Sequence, residues 1–323
     1  MKAWQLHEHG EPAEVLKLVD VPTPEPGPGQ VLVRVRAAAL NFPDVLLCRG
    51  QYQVRPPLPF TPGVELCGEV VSGDGIDVGT RVIGTPALPH GALAEYALMS
   101  VADAFSAPDS LDDAAAASLH IAYQTGWFGL HRRAKLQPGE TLLVHAAAGG
   151  VGSAAVQLGR AAGARVIAVV GGEEKAQVAA GLGADLVIDR HARDFIAEVK
   201  EFTGGTGVDV VYDPVGGDAY TGSARCIAFE GRIVVVGFAG GTVPTPGLNH
   251  ALVKNYSILG LHWGLYKQHD LGLLTTAHEE LVRLADAAQI TPLVGGTMPL
   301  DEAPAGLTRL GAGQSVGRLV VVA

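Results

Sequence analysis

The sequence predicts an α/β protein in which a doubly wound parallel domain is inserted into a β-rich domain. From about residue 120 to 260, apolar strand-like runs alternate with helix-like segments, which is typical of a parallel sheet covered on both faces. Before and after this region the pattern changes to short strands bounded by Gly, Pro and Asp turns. We therefore expect residues 120–260 to form the inserted domain, and residues 1–119 plus 261–323 to form the other.

The predicted β-rich domain opens with short alternating strands. Val31, Val33 and Val35 alternate with polar or flanking residues, and similar runs follow at 64–71, 81–84 and 92–99. A helix is predicted over 109–117, with Asp109 or Ser110 as its cap. The tail contributes a helix over 274–288, a short helix from residue 301 and a final strand over 318–322.

The predicted inserted domain consists of near-continuous apolar strands and intervening helices. Strands are expected at 141–146, 165–170, 186–188, 208–212, 232–236 and 257–261. Helices are expected at 152–162, 173–180, 194–202 and 218–228.

Composition and charge narrow the range of functions. The chain has 323 residues, 48% of them hydrophobic and 17% charged, which indicates a compact globular protein. A formal net charge of −10 argues against nucleic acid as a main partner. The three cysteines are far apart, and charges and histidines occupy the first twelve residues where a signal peptide needs an apolar block. We expect a cytoplasmic protein with reduced thiols and no membrane span.

The stretch 139–160, GETLLVHAAAGGVGSAAVQLGR, indicates dinucleotide binding. It has the order strand, small-residue turn, helix, which lets backbone N–H groups and a helix N-terminus approach a pyrophosphate. A G-x-G-x-x-G template placed on Ala147, Gly149 and Gly152 finds alanine at its first position. The turn alone is therefore an imperfect match.

The end of the second strand of this domain bears on the choice of cofactor. An acidic residue that would bind the adenosine ribose 2′-OH is expected there, yet the strand ends in Gly171-Gly172 and the glutamates at 173 and 174 are better placed to open a helix. Lys175 and Arg190 are the cations positioned to meet a 2′-phosphate. Two readings stay open: these side chains select NADP, or they are ordinary surface charges.

Metal and hydrolytic chemistry find little support. His7-Glu8-His9 lacks a third ligand, and the other histidines are isolated. There is no G-x-S-x-G elbow and no cysteine in an activating context. Polar or aromatic residues near strand ends could line a pocket or be plain structure: Asn41, Tyr52, Thr125, Phe238 and Trp263.

The residues of 139–160 also match a family signature position by position. The matching residues are Gly139, Glu140, Leu143, Ala147, Ala148, Gly149, Gly150, Gly152, Gln157 and Arg160. Further matching segments are 41–44 with 49–52, 91–96, 213–217 and 316–318. On these motifs the chain resembles the zinc-independent quinone oxidoreductase (zeta-crystallin-like) family of the medium-chain dehydrogenase/reductase superfamily. The resemblance implies a Rossmann domain inserted into a GroES-like catalytic domain.

The resemblance also implies roles for individual residues. Ala148, Gly149, Gly150 and Val151 would hold the pyrophosphate, and Lys175 would face the 2′-phosphate. Asn41, Tyr52 and Thr125 would lie near the nicotinamide and substrate, with Phe238, Leu261, His262 and Trp263 closing over the cofactor. Val64 stands where zinc-dependent relatives have the histidine of Gly-His-Glu, so a metal ligand is missing. Gly171-Gly172 departs from relatives that place a Ser or Thr beside the lysine, and Val45-Leu46-Leu47 departs from relatives with a second tyrosine.

The sequence thus predicts an NADPH-dependent, zinc-independent reductase that transfers hydride to a quinone or another conjugated carbonyl. Asn41 and Tyr52 are the expected hydrogen-bond donors to the acceptor oxygen. One alternative is an enoyl-thioester or alkenal reductase on the same scaffold. Another is an NADPH-binding structural or regulatory protein with little turnover. The resemblance further implies a homodimer, and the apolar edge near Ser257 is the local indication of it.

Overall fold

The computed structural model describes residues 1–323, which divide into two compact units. The first comprises Met1–Ile121 and Pro292–Ala323, and the second comprises Ala122–Thr291. The first boundary lies two residues from the predicted one, whereas the second lies at 291 instead of 260. Residues 261–291 belong to the second unit because Leu274, Leu281 and Leu284 of their long helix are buried there, and Gln124 and Gln157 hydrogen-bond to this segment.

The second unit is built on a six-stranded parallel sheet. Its strands are β8 (Thr141–His145), β9 (Arg165–Val170), β10 (Leu186–Asp189), β11 (Val208–Asp213), β12 (Ile227–Val235) and β13 (Ser257–Gly260). They are arranged in the order β10-β9-β8-β11-β12-β13, all neighbours parallel. This order reverses between β8 and β11, where doubly wound folds bind dinucleotides beyond the carboxyl ends of the strands. The predicted doubly wound domain is confirmed.

Helices connect these strands. They are α4 (His120–Trp127), α5 (Gly150–Ala161), α6 (Glu173–Gly181), α7 (Phe195–Phe202), α8 (Gly217–Cys226), α9 (Leu248–Lys254), α10 (Tyr266–His269) and α11 (Leu271–Asp286). A π-helix over Phe128–Arg133 follows α4, and a 3-10 turn over Trp263–Leu265 precedes α10. In neither unit does a helix combine the length and the apolar character needed to cross a membrane.

The first unit is β-rich, as predicted. Its strands are β1 (Lys2–Leu6), β2 (Leu16–Asp20), β3 (Gln30–Ala39), β4 (Leu66–Gly73), β5 (Arg81–Gly84), β6 (Tyr96–Ser100), β7 (Ala104–Ser106), β14 (Val294–Pro299) and β15 (Arg318–Val322). Seven of them form the sheet β14-β15-β3-β4-β5-β7 with β6 paired to β3, and β1 pairs with β2. Because β15 lies beside β3, the two chain segments of the unit share one sheet.

Four helices and two 3-10 turns complete the first unit. The helices are α1 (Pro12–Val15), α2 (Phe42–Cys48), α3 (Asp113–Ala117) and α12 (Ala303–Gly311), and the 3-10 turns are Val101–Asp103 and Leu300–Glu302. The helix predicted over 109–117 is shorter than expected. Asp112, not Asp109 or Ser110, caps it by accepting a hydrogen bond from Ala115 N at 2.8 Å.

Candidate functional site

The turn between β8 and α5 brings backbone atoms unusually close together. Gly149 N donates to Ala146 O at 2.8 Å, and a Cβ on Gly152 would lie 2.1 Å from that same oxygen. The first-turn N–H groups of α5, from Gly150 to Gly152, have no acceptor within the helix. This cradle, which a single side chain would fill, fits the pyrophosphate of a dinucleotide.

The alanine at the first template position is explained by the backbone. The residue in the left-handed region is Ala146, with φ of 50°, one position before Ala147. Ala147 is fully buried, and its N–H donates to Val169 O at 3.2 Å. Because Ala147 needs no positive φ, a glycine at that position is not required for this turn.

Buried polar contacts hold both sides of the turn. The His145 Nε2 and Ser223 Oγ atoms are 2.7 Å apart, and burial lowers the pKa of His145 to about 4, so its imidazole is neutral. Asp213 Oδ1 accepts hydrogen bonds from Val215 N and Gly216 N, both at 2.9 Å. These contacts fix the loop after β11. This loop flanks the point between β8 and β11 where the strand order reverses.

Two residues of the family signature have structural roles. Glu140 accepts two hydrogen bonds from Arg232, each of 2.8 Å, which ties the start of β8 to β12. Gln157 of α5 exchanges hydrogen bonds with the backbone of Thr291, at 2.9 and 2.6 Å. The family signature therefore includes residues that hold the segments around the turn between β8 and α5, as well as residues of the turn itself.

The carboxyl end of β9 carries the predicted 2′-phosphate residues. Val170 pairs with Asp189 of β10, so the loops after β9 and β10 lie side by side. A Cβ on Gly171 would lie 3.3 Å from Arg190 Nε, which places this guanidinium over the glycine. Lys175 lies in the first turn of α6. The exposed Glu173 and Glu174 open that helix, as the sequence indicated.

The residues predicted to close over the cofactor occupy two places in the second unit. Trp263 Nε1 donates to Gln124 Oε1 of α4 at 3.1 Å, and Leu261 lies against Gly129. Thr125, on the same helix, is buried, whereas His262 is exposed. Phe238, 40% exposed, lies over Gly216 instead.

Asn41 belongs to a buried polar cluster of the first unit. Its Nδ2 donates to Ala39 O at 3.0 Å and to Glu65 Oε2 at 2.9 Å, and its Oδ1 accepts from Arg318 Nη1 at 2.9 Å. Arg318 Nη2 also donates to Glu65, whose other oxygen accepts from Ile121 N at 2.6 Å. Burial raises the pKa of Glu65, and the facing Arg318 charge opposes that rise. Both N–H donors of Asn41 are thus engaged within the protein.

The contact between Arg318 and Glu65 was not predicted from the sequence. They are 253 positions apart and meet only because β15 joins the sheet of the first unit. The available signal was weak: an arginine in the matching segment 316–318 and a glutamate in an otherwise apolar run.

Tyr52 follows α2 in a loop and packs against the core of the first unit. Burial, and then the negative charge of Asp44, raise the pKa of Tyr52, so its hydroxyl keeps its proton. Asp44 is fully buried and accepts hydrogen bonds from Asn41 N, Gly63 N and Val64 N, at 2.9, 3.0 and 3.1 Å. Tyr52 therefore presents a half-buried, protonated phenol.

The donor set does not fit a zinc ion. No three His, Cys, Asp or Glu side chains converge anywhere in the structure, and His7 and His9 lie exposed. Val64 supplies no ligand atom, and Glu65 beside it is paired with Arg318. A catalytic zinc needs three protein ligands and an open position.

Comparisons with known proteins agree with this architecture. Residues 27–109 match the model of the alcohol dehydrogenase GroES-like domain, and residues 150–277 match that of the zinc-binding dehydrogenase domain. The chain is 37% identical over 298 residues to the quinone oxidoreductase-like protein 2 of Bos taurus, covering 90% of this chain and 84% of that one.

Solved structures extend the likeness to the whole chain. A mycobacterial protein complexed with NADPH is 34% identical, with a TM-score of 0.92 and 100% of each chain covered. The Escherichia coli quinone oxidoreductase complexed with NADPH is 30% identical, with a TM-score of 0.91 and the same coverage. The predicted GroES-like and Rossmann architecture is confirmed. The chain is therefore an oxidoreductase that belongs to the zinc-independent quinone oxidoreductase family of the medium-chain dehydrogenase/reductase superfamily.

Proposed function

We propose that this protein is an NADPH-dependent reductase that transfers hydride to a quinone or another conjugated carbonyl without zinc. The observation that carries the cofactor assignment is the Arg190 guanidinium over Gly171, at the end of a strand that lacks the carboxylate expected for NAD. The two relatives solved with NADPH support the same cofactor. NADPH, when bound, supplies the hydride.

The absence of zinc from the mechanism is supported by the chemistry of the residues present. Val64 has no donor atom, and the carboxylate of Glu65 already binds Arg318, Asn41 and Ile121 N. To bind a cation, Glu65 would have to give up these partners. Activity is therefore expected to survive a chelator.

Hydride addition to a conjugated carbonyl leaves negative charge on the carbonyl oxygen, as an enolate or hydroquinone anion. A hydrogen-bond donor at that oxygen stabilises the charge. We assign this role to Tyr52, whose raised pKa keeps the phenol protonated at neutral and mildly alkaline pH. Asn41 could donate only by releasing Ala39 O or Glu65, so we propose that it acts by positioning Glu65 and Arg318.

Tyr52→Phe is expected to lower kcat by about 10- to 100-fold, because one donor to the developing oxyanion is lost. The Kd for NADPH should change less than about twofold, since the phenol does not hold the cofactor. The measurement is steady-state NADPH oxidation with a panel of quinones, enals and enoyl thioesters, with and without chelator.

Tyr96→Phe is the matched control, because Tyr96 is another half-buried tyrosine of the same unit. Equal kcat values for Tyr52→Phe and wild type would contradict the assignment of Tyr52 as the hydrogen-bond donor. Turnover restricted to enoyl thioesters or enals would favour the alternative reductase, and no turnover with any acceptor would favour an NADPH-binding protein. Loss of activity with chelator would contradict the zinc-free mechanism.

The homodimer and the cytoplasmic location stay predictions. Strand β13 lies at the edge of its sheet and pairs only with β12, which leaves one row of backbone groups for a second copy. The preceding helix α9 exposes Leu248, Leu252 and Val253 to 75%, 77% and 77%. We propose that a second copy of this chain covers both elements.

Wild type should therefore sediment as a dimer at micromolar concentration, and Leu252→Glu should shift it toward monomer because the charge would be buried in the interface. Thr275→Glu, on the exposed part of α11, is the control that should leave the dimer intact. A monomeric wild type would contradict the proposal.

A further inference from the structure

The loop after β10 holds a histidine that neither the sequence pattern nor the family signature singled out. A Cβ on Gly171 would lie 3.0 Å from His191 Cε1 and 3.1 Å from His191 Nε2. The imidazole of His191 thus lies over the same glycine as the Arg190 guanidinium. The two side chains together cover the end of β9, where the adenosine ribose of a bound dinucleotide is expected.

Asp189 fixes this arrangement. One oxygen of its carboxylate, Oδ1, accepts hydrogen bonds from Gly172 N at 2.8 Å and from His191 N at 3.0 Å. These two hydrogen bonds keep the pKa of Asp189 below its usual range. The loop that carries Arg190 and His191 is therefore held against the end of β9 before any ligand binds.

The two side chains over Gly171 are available to a ligand. Both residues are exposed, and both interact electrostatically with the Asp189 carboxylate. The charged groups of the surrounding segments are Asp189, Arg190, Glu173, Glu174, Lys175, Arg193 and Asp194. Of these, Arg193 is paired with Glu198, and Asp194 caps α7 through Ile196 N.

We propose that His191 is a ligand of the cofactor 2′-phosphate and that, beside Arg190, it strengthens the preference for NADPH over NADH. This inference rests on the proposed use of NADPH. The imidazole adds a hydrogen-bond donor beside the Arg190 guanidinium, and NADH lacks the phosphate that both side chains would meet.

The test measures Kd for NADPH, NADH and adenosine 2′,5′-bisphosphate by calorimetry. His191→Ala should weaken binding of NADPH and the bisphosphate about tenfold, because one ligand of the 2′-phosphate is lost. Binding of NADH should be unchanged.

Two further variants sharpen the result. His191→Lys keeps a hydrogen-bond donor at this position and should keep NADPH affinity. Arg225→Ala removes an exposed cation at the end of α8, at the opposite edge of the sheet from the carboxyl ends, and should change nothing. Binding of NADPH to His191→Ala as tight as to wild type would overturn the inference, as would loss of NADPH affinity in His191→Lys.

Failure of the inference and failure of the proposed function give different results. If Arg190→Ala weakens NADPH binding and His191→Ala does not, His191 is not a ligand and the 2′-phosphate site stands. If wild type binds NADPH and NADH equally and Arg190→Ala changes neither affinity, the NADPH assignment itself is wrong. The role proposed for His191 is then wrong as well.

Discussion

Arg318→Met is expected to destabilise the protein by about 3–5 kcal/mol, because it leaves the Glu65 charge buried without its partner. Glu65 is fully buried and Arg318 is 6% exposed, so water cannot replace the lost guanidinium. Asn41 Oδ1 would lose its donor at the same time. Urea unfolding at pH 7, compared with wild type, measures the difference.

A surface ion pair of the same sheet serves as the matched control. Arg36 pairs with Glu69, with side-chain exposures of 46% and 27%, and Arg36→Met should cost less than about 1 kcal/mol. The double variant Glu65→Gln/Arg318→Met should recover part of the loss, because the glutamine carries no charge and its one amide oxygen can still accept from either Ile121 N or Asn41 Nδ2. An Arg318→Met protein as stable as wild type would show that the cluster contributes little.

The order of strands and helices in the inserted domain could be predicted because the relevant signal is local. Apolar runs such as 165–170 separate cleanly from helices, and parallel strands place the residues that follow them at one sheet edge. The positions of Gly149, Lys175 and Arg190 at the same edge follow from that rule. The roles of the individual side chains there stay predictions.

Contacts between distant segments could not be predicted in the same way. Glu65 and Arg318, or Glu140 and Arg232, meet because of sheet register, and nothing near either residue in the chain marks its partner. The boundary at Thr291 was missed for a similar reason. The apolar stripe of α11 predicts that the helix is buried, yet the same stripe fits either unit. His191 was not identified from the sequence, because a single histidine in a polar loop belongs to no periodic pattern or motif.

Gly152→Ala is expected to weaken NADPH binding at least about tenfold and to destabilise the protein by about 1–3 kcal/mol. The added Cβ would lie 2.1 Å from Ala146 O and 3.0 Å from Ala147 Cα, and these backbone atoms cannot turn aside as a side chain can. The start of α5 would have to move away from the turn after β8, and the first-turn N–H groups would move with it. Calorimetric Kd values for NADPH and urea unfolding report the two effects separately.

Gly181→Ala separates this steric effect from the general effect of exchanging a helical glycine. Gly181 ends α6 in the same unit, and a Cβ there would meet nothing within 4 Å. Its replacement should therefore leave NADPH binding unchanged and raise stability by up to about 1 kcal/mol, because alanine favours the helix. If Gly152→Ala bound NADPH as tightly as Gly181→Ala does, close backbone approach at the turn would not be what holds the pyrophosphate. If it lost stability but kept NADPH affinity, the glycine would serve the packing of α5 on β8 alone.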